Sequence, residues 1–341
     1  MRLALVGATG AVGTEILSIL EERSLTIDEL VPVASARSAG RRLQFRGRDV
    51  EVRALSEEVF SGTDIALFDV PDDVSGEWAP VAAAAGAVVV DNSAAWRMHP
   101  EVPLVVPEIN PDEVANRPKG IIASPNCTML ATVVVAGALH AKAKLTRLIC
   151  SSYQAASGAG KPGSDELWDQ LERAVKERDL VTRGLGRDVL NVGSVFAHPL
   201  ALNVIPQIGS MRDGGYTGEE EKLADETRKV LGAPELPITA TCVRVPTMVG
   251  HGVSIHAEFA RDITAEEARS ILIGAPGVEV MDDTPNAIYP TPLHAAGRDP
   301  CYVGRIRQDP YDPRALELFS VADNLRKGAA LNTVQIAELL V

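Results

Sequence analysis

A chain of 341 residues, 46% hydrophobic and 23% charged, has material for two domains and a large core. A formal net charge of −13 and a pI near 5.0, with no basic run, exclude a general binder of nucleic acid or anionic membrane, so any anionic ligand must be held by a few placed cations. No apolar stretch reaches the ~20 residues of a membrane span, and the four scattered cysteines (Cys127, Cys150, Cys242, Cys301) form neither a C-x-x-C pair nor a disulfide framework. The expectation is a reduced, cytoplasmic protein without a metal site.

The chain opens on an apolar strand, Leu3 to Val6, followed by Gly7-Ala8-Thr9-Gly10-Ala11-Val12-Gly13 and a helix through about Arg23. Leu3 to Val12 is too glycine-punctuated for a signal-peptide core. Strand, glycine loop and helix together are the setting for dinucleotide binding, although the spacing is G-x-x-G-x-x-G. Glycines let the backbone approach a pyrophosphate at a helix N-terminus; a ligand-free βα turn is the alternative. The next strand, Glu29 to Ala34, ends in Ser35-Ala36-Arg37-Ser38. An NAD-specific site places an acidic residue there. Arg37 with Ser35 or Ser38 suits a 2′-phosphate instead, which favours NADP; a solvated loop is the alternative.

Ile65 to Val70 reads as a further strand, running into the acidic turn Asp69-Val70-Pro71-Asp72-Asp73. Val81 to Ala87 has helical character. Ala87 to Asp91 is again a strand, closing with Asn92-Ser93 and followed by Arg97 and the proline-punctuated Val102 to Asn110. Strands alternating with helices predict an α/β, Rossmann-type doubly wound, mostly parallel sheet.

Ser124-Pro125-Asn126-Cys127-Thr128-Met129 precedes the apolar run Leu130 to Leu139, which predicts a buried helix with Cys127 in its first turn. A helix N-terminus favours a thiolate, so Cys127 is a candidate nucleophile; a buried structural cysteine is the alternative reading. Leu145 to Tyr153 reads as a long strand leading into Gln154-Ala155-Ala156-Ser157-Gly158-Ala159-Gly160. Ser164 then caps a helix with Trp168, Leu171 and Val175 on one face. Tyr216 to Leu231 is helical, Ile238 to Val245 and Val253 to Phe259 are strands, and Asp323 or Asn324 caps a last helix ending near Leu340. This order predicts a second, α+β domain with an open antiparallel or mixed sheet, a dimerisation surface.

Glu219 and Lys222 share a helix face, where the default reading is a surface ion pair. Arg244 and His251 flank a turn at Pro246 and Gly250 that can present both to one cleft, or hold them as a core pair. His256, five residues on, falls on the opposite face of a regular strand. Cys150 and Cys242 read as core.

Together these pieces resemble the aspartate-semialdehyde dehydrogenase family: Gly7 to Gly13, Ser35 to Ser38, Asp91-Asn92-Ser93 with Arg97, Val102 to Asn110, Ser124 to Thr128, Tyr153 to Gly158, Glu219-x-x-Lys222, Arg244-Val245-Pro246 with Gly250-His251, and Asp323 to Ala330, in order along the chain. The resemblance implies an NADP-binding domain over 1–128 joined by the C-terminal helix 323–341, and a catalytic and dimerisation domain over 129–322. It implies NADPH-dependent reductive dephosphorylation of L-aspartyl 4-phosphate to the semialdehyde and phosphate by a homodimer, in biosynthesis of lysine and diaminopimelate, methionine, threonine and isoleucine. Cys127 would be the thioester nucleophile, His251 the acid/base, and Gln154 would position the intermediate. Arg244 would bind the substrate carboxylate and Glu219 its ammonium, with Arg97, Asn126 and Lys222 at the substrate and its phosphate. Gly7, Thr9, Gly10, Ala11, Val12, Gly13, Ser35, Arg37, Ser38, Ser157, Gly158 and Asn324 would contact NADP. Two alternatives are a reductase of another acyl phosphate, such as N-acetylglutamyl phosphate, and a non-catalytic NADP-binding relative. The sequence departs from the family at Asp69 to Asp73, where a small-residue, glycine-rich turn is usual, and at Met129, where threonine is common.

Overall fold

The computed structural model describes residues Met1–Val341. Its contacts divide the chain into two compact units, Met1–Leu130 with Asp225–Glu235 and Leu325–Val341, and Ala131–Ala224 with Leu236–Asn324.

The first unit is built on β1 (Arg2–Val6), α1 (Ala11–Glu22), β2 (Glu29–Ala34), a hairpin of β3 (Arg42–Phe45) and β4 (Arg48–Glu51), β5 (Arg53–Ala54), β6 (Ile65–Phe68), α2 (Asp72–Ala84), β7 (Val88–Asp91) and β8 (Ile121–Ala123). Six strands form a parallel sheet in the order β5-β2-β1-β6-β7-β8. Alternate residues of each strand go to opposite faces. Leu3, Leu5, Ile65, Leu67 and Val90 share one core with Ile16 and Leu20 of α1 and with Leu331, Val334 and Ala337 of the closing helix. On the other face Phe68 stacks on Phe60 (5.9 Å), which meets Trp78 of α2. Both faces are thus covered, as a parallel sheet requires. The strand order reverses between β1 and β6, so the loops leaving their C-terminal ends diverge and bound a crevice, the usual ligand position in such sheets.

Two expectations fail here. β6 stops at Phe68, and α2 begins at Asp72, well before Val81. Pro71 fixes the chain just ahead of the helix, and Asp72 and Asp73 occupy its first turn, where acidic groups suit the exposed N–H ends. Two of the three acidic residues therefore start a helix.

The next helix, α3 (Cys127–Ala143), is apolar on all sides and buried throughout Thr128–Gly137. The second unit adds β9 (Leu145–Gln154), α4 (Gly160–Lys176), the short α5 (Arg178–Thr182) and α6 (Gly186–Val189), the first half of α7 (Gly218–Val230, which belongs to the first unit from Asp225), β10 (Ile238–Arg244), β11 (His251–Phe259), α8 (Ala265–Ile273), β12 (Val278–Val280), α9 (Pro292–Ala295), β13 (Cys301–Gln308) and β14 (Ala315–Ala322). Its six strands form a mixed sheet, β10-β9-β11-β14-β13-β12, with β9–β10 and β12–β13 parallel. One face is core (Leu148, Cys150, Val253, Ile255, Leu316, Leu318); on the other, Tyr153, His256, Glu258, Glu317 and Phe319 are at least partly exposed.

Helix α4 corrects a third expectation. It starts at Gly160, not at Ser164, because Pro162 is tolerated in a first turn. Its buried face is Gly163, Leu167, Gln170 and Ala174, while Trp168 and Val175 are exposed. No helix of the chain is long and apolar enough to cross a membrane.

Candidate active site

In the first unit the glycine loop is shaped by contacts that exclude side chains. Gly7 has φ +97°, and a Cβ there would lie 2.0 Å from the Asp69 carbonyl oxygen. A Cβ on Gly13 would lie 2.2 Å from the Gly7 carbonyl oxygen. These two glycines let β1, the β6 loop and α1 approach closely. Helix α1 begins at Ala11 without a side-chain cap, so its first N–H groups are available to an anion. Thr9 and Val12 are partly buried, Gly10 and Ala11 exposed. At the end of β2, Ser35 and Arg37 are exposed and Ser38 is buried. The loops after β1 and β2 both leave C-terminal strand ends of one sheet, which fits a dinucleotide.

Cys127 is the first residue of α3. Asn126 caps that helix, its Oδ1 accepting from the N–H of Thr128 (2.9 Å) and Met129 (3.1 Å). The other three cysteines are buried, whereas Cys127 retains some exposure. Burial makes the Cys150 thiol still harder to ionise. Arg97 is buried, which opposes its charge, but Glu226, and then Cys127 and Asp91, more than offset this and raise its pKa. Its Nη1 lies 3.1 Å from Glu226 Oε1 and its Nη2 donates to the Asn92 carbonyl (2.8 Å), while Nε is buried without a partner.

In the second unit the strand ends gather the polar groups. Gln154 ends β9 and pairs in register with Arg244, which ends the parallel β10. His251 begins β11 and is fully buried. Gln154 Nε2 donates to Glu219 Oε1 (3.1 Å), and Gln154 Oε1 accepts from Ser152 (2.8 Å). Glu219 is buried, which overturns its reading as half of a surface ion pair; Lys222, one turn on, is partly exposed. Arg244 Nη1 donates to the Ala155 carbonyl (2.6 Å). The Ala155 N–H donates to His251 Nδ1 (3.1 Å), which assigns the ring proton of the neutral imidazole to Nε2. Burial first, then the Arg244 charge, pushes the His251 pKa down to about 3. Gly158 leaves room for both: a Cβ would lie 2.6 Å from Arg244 Nη1 and 3.2 Å from His251 Nε2. Asn324 ties this cluster together, donating to Ser157 Oγ (2.9 Å) and accepting from the Gly250 N–H (2.8 Å).

Residues 2–117 match the family model "Semialdehyde dehydrogenase, NAD binding domain", and residues 136–327 match "Semialdehyde dehydrogenase, dimerisation domain". The chain is 46% identical to the aspartate-semialdehyde dehydrogenase of Aquifex aeolicus over 342 residues, covering 100% of this chain and 98% of that one. It is 49% identical to that of Streptomyces akiyoshiensis over 343 residues, with 100% and 98% covered. Among solved structures, that of aspartate semialdehyde dehydrogenase II from Vibrio cholerae complexed with ASA superimposes with a TM-score of 0.92 at 40% identity, covering 99% of this chain and 97% of that one. The chain belongs to the aspartate-semialdehyde dehydrogenase family.

Against that family background, one residue of the site escaped the sequence reading. Glu226 is buried and its carboxylate bridges Arg97 and the Asn126 N–H (2.6 Å). It follows Glu219 by seven residues on α7, two turns and the same helix face, so helical spacing carried the signal. Lys229, one turn further, donates to the carbonyls of Arg97, His99 and Val102. Asp91 closes β7, is buried, and receives Ser75 Oγ and Ser93 Oγ, each at 2.6 Å. His256 and His251 lie on opposite faces of β11, as strand periodicity requires: His256 Nδ1 is 2.7 Å from Glu317 Oε1 on the outer face.

Proposed function

We propose that the chain is an NADP-dependent, phosphorylating aspartate-semialdehyde dehydrogenase. In the biosynthetic direction it converts L-aspartyl 4-phosphate to L-aspartate 4-semialdehyde and phosphate, on the way to lysine and diaminopimelate, methionine, threonine and isoleucine. The observation that carries this reading is Cys127. It is the partly exposed cysteine, it opens a capped helix, and its charge is felt by the buried Arg97. Relatives that bear this enzyme's name over their full length support it, as does the Vibrio cholerae relative solved with ASA.

In the proposed reaction the Cys127 sulfur attacks the acyl carbon, a C–S bond forms, the C–O bond to phosphate breaks, and phosphate departs. The helix dipole and Arg97 favour the thiolate that attacks. Arg244 pairs with the substrate carboxylate and Glu219 with its ammonium. Arg97 and Lys222 attract the phosphate, and Asn126 fixes the turn that aims the sulfur. Gln154 is oriented by Glu219 and Ser152 and holds the acyl group. His251 presents a proton at Nε2 to the reacting oxygen or sulfur and serves as acid and base. NADPH, when bound, supplies the hydride that turns the thioester into the aldehyde. Gly7, Thr9, Gly10, Ala11, Val12 and Gly13 would hold its pyrophosphate and Ser35, Arg37 and Ser38 its 2′-phosphate, with Ser157, Gly158 and Asn324 as further contacts. The missing Cβ atoms of Gly7 and Gly13 and the uncapped start of α1 fit such a group.

The working form is assigned as a cytoplasmic homodimer. The outer face of the second sheet, with Tyr153 and Phe319 in contact at 6.1 Å, suits pairing with a second copy.

The test is NADP reduction with aspartate semialdehyde and phosphate, in wild type and in Cys127→Ser. Turnover that requires phosphate and vanishes in the variant is expected. A wild type that binds NADP yet turns over neither in this assay nor in the reverse one would remove the assignment.

A further inference from the structure

The loop that follows β6 is rich in acidic residues, and they do not all behave alike. Asp72 and Asp73 are exposed in the first turn of α2. Asp69 turns inward. Its N–H donates to the Val6 carbonyl (2.8 Å), its own carbonyl fills the space that a Gly7 side chain would need, and its Oδ2 is 3.7 Å from the Cβ position of Gly10. Gly10 is the residue immediately before α1. The carboxylate therefore stands at the N-terminus of α1, on the crevice between β1 and β6, where the fold receives a phosphate-bearing ligand. An anion at that position is itself stabilised by the helix end. It acts as a resident occupant of the charge that a pyrophosphate would otherwise use.

We infer that Asp69 is a built-in competitor for the cofactor's pyrophosphate, so that a dinucleotide binds with uptake of a proton at Asp69 and its affinity falls as pH rises. This rests on the dinucleotide reading of the glycine loop given above. The groups that face Asp69 agree with it. Asn92 Nδ2 donates to its Oδ1 (3.0 Å) and holds the carboxyl in place. Asp91, at the end of β7, is a second buried carboxylate that disfavours a charge on Asp69. Asp72 and Asp73 follow in the first turn of α2, and the helix starts of α1 and α2 are positive features. Burial first, and then Asp91, raise the Asp69 pKa against the opposing Asn92 bond, so the proton that a phosphate would demand is taken up more readily than by an ordinary carboxylate. Neutral Asp69 is a donor, and the same oxygen that repels a phosphate at high pH can then hydrogen-bond to it.

The sign follows from the charges. Below the pKa of the free protein Asp69 is neutral and affinity is maximal. Between that value and the higher value in the complex, affinity falls by up to tenfold per pH unit. Above both it is constant and weak.

The experiment is calorimetric titration with NADP, over a range of pH and in two buffers of different ionisation heat, on the wild type, Asp69→Asn, Asp69→Ser and Asp73→Asn. The 2′-phosphate titrates identically in all four, so it cancels in ratios to wild type. Expected are proton uptake by the wild type that is absent from both Asp69 variants, and binding about tenfold tighter in those variants at the high-pH plateau. Asp73→Asn should follow the wild type. Equal tightening in Asp73→Asn would reduce the effect to bulk charge and overturn the proposal. So would unchanged or weaker binding, with unchanged proton uptake, in the two Asp69 variants. NADP binding to none of the four would remove the cofactor reading, and this proposal with it; binding to all with the same pH profile would remove only the proposal.

Discussion

The Oε2 atom of Glu226 accepts a hydrogen bond at 2.6 Å from the backbone N–H of Asn126, the residue immediately before Cys127. The other oxygen of the same carboxylate is 3.1 Å from Arg97 Nη1. One buried acid thus fixes the turn that presents the sulfur and pairs with a cation that acts electrostatically with it. Glu226→Ala should strand a buried guanidinium and a buried N–H, lowering stability by about 3–5 kcal/mol. Glu226→Gln keeps an acceptor for Asn126 and should lose only about 1–3 kcal/mol. It also releases the Arg97 charge, so Cys127 should be alkylated faster by iodoacetamide at neutral pH. Urea midpoints and alkylation rates check both parts; an alkylation rate equal to wild type would mean that Arg97 does not act on the sulfur.

Gly158 owes its identity to what lies beside it. An added methyl would be 2.6 Å from Arg244 Nη1, closer than real Cβ contacts come, and would displace the guanidinium from the Ala155 carbonyl or crowd His251. Gly158→Ala should lower kcat/KM by roughly ten- to a hundredfold, the penalty for an ångström-scale misplacement, while circular dichroism and thermal midpoint stay near wild type. Wild-type kinetics in this variant would show that Arg244 tolerates the shift.

His251 makes acid a weakness of the second unit. Its folded-state pKa is about 3, against an ordinary value of 6.5. Between these values the unfolded chain binds a proton that the folded chain refuses, so stability falls as pH drops through this range by up to about 1.4 kcal/mol per unit. It is fully restored above about 6.5. His251→Asn should flatten the acid limb of a plot of unfolding midpoint against pH. An identical slope would assign acid sensitivity to other groups.

His256 has the opposite sign. Burial opposes its charge, but Glu317, then Glu258, raise its pKa overall. Its stabilisation is therefore complete below the unfolded-state value and is lost as pH rises through the folded one. With side chains 23% and 26% exposed the pair is worth about 1 kcal/mol at most. Glu317→Gln should be less stable than wild type in mildly acidic buffer and equal to it in alkaline buffer, as read from thermal midpoints. A deficit independent of pH would point to packing instead.

Much of this was legible in the sequence, for local reasons. Strand β2 and the glycine loop announce themselves by apolar runs broken at glycine. The start of α3 is marked by a short polar cap, Asn126, before a run with no polar face. What failed depended on partners distant in sequence. Trp168, Leu171 and Val175 fit helical spacing as well as Gly163, Leu167, Gln170 and Ala174 do; the core cluster of Leu167 and Ala174 with Phe196, Leu200 and Ile205 decides between them. Asp72 and Asp73 read as part of an acidic turn because the chain between Phe68 and Val81 has no clear apolar period to mark a helix, although acids after a proline suit a helix start. Glu226 was passed over because an acid on an acid-rich helix is ordinarily solvated; its role exists only once Arg97 and Asn126 are beside it. The short hairpin of β3 and β4 has too few apolar residues to stand out.

The closing segment has a consequence for how the chain is made. Leu331, Val334, Ile336 and Ala337 share a core with Leu3, Leu5 and Ile16, and Asn332 Nδ2 reaches Ser124 Oγ at 3.0 Å. Lys327, buried, bonds Glu108, Asn332 and Gln335. Strand β1, half covered by its neighbour α1, thus waits for residues translated far later before that apolar face is fully closed. Until Leu331 to Ala337 are made the nascent chain carries part of that core open, and a chain truncated before Leu331 lacks the residues that complete it.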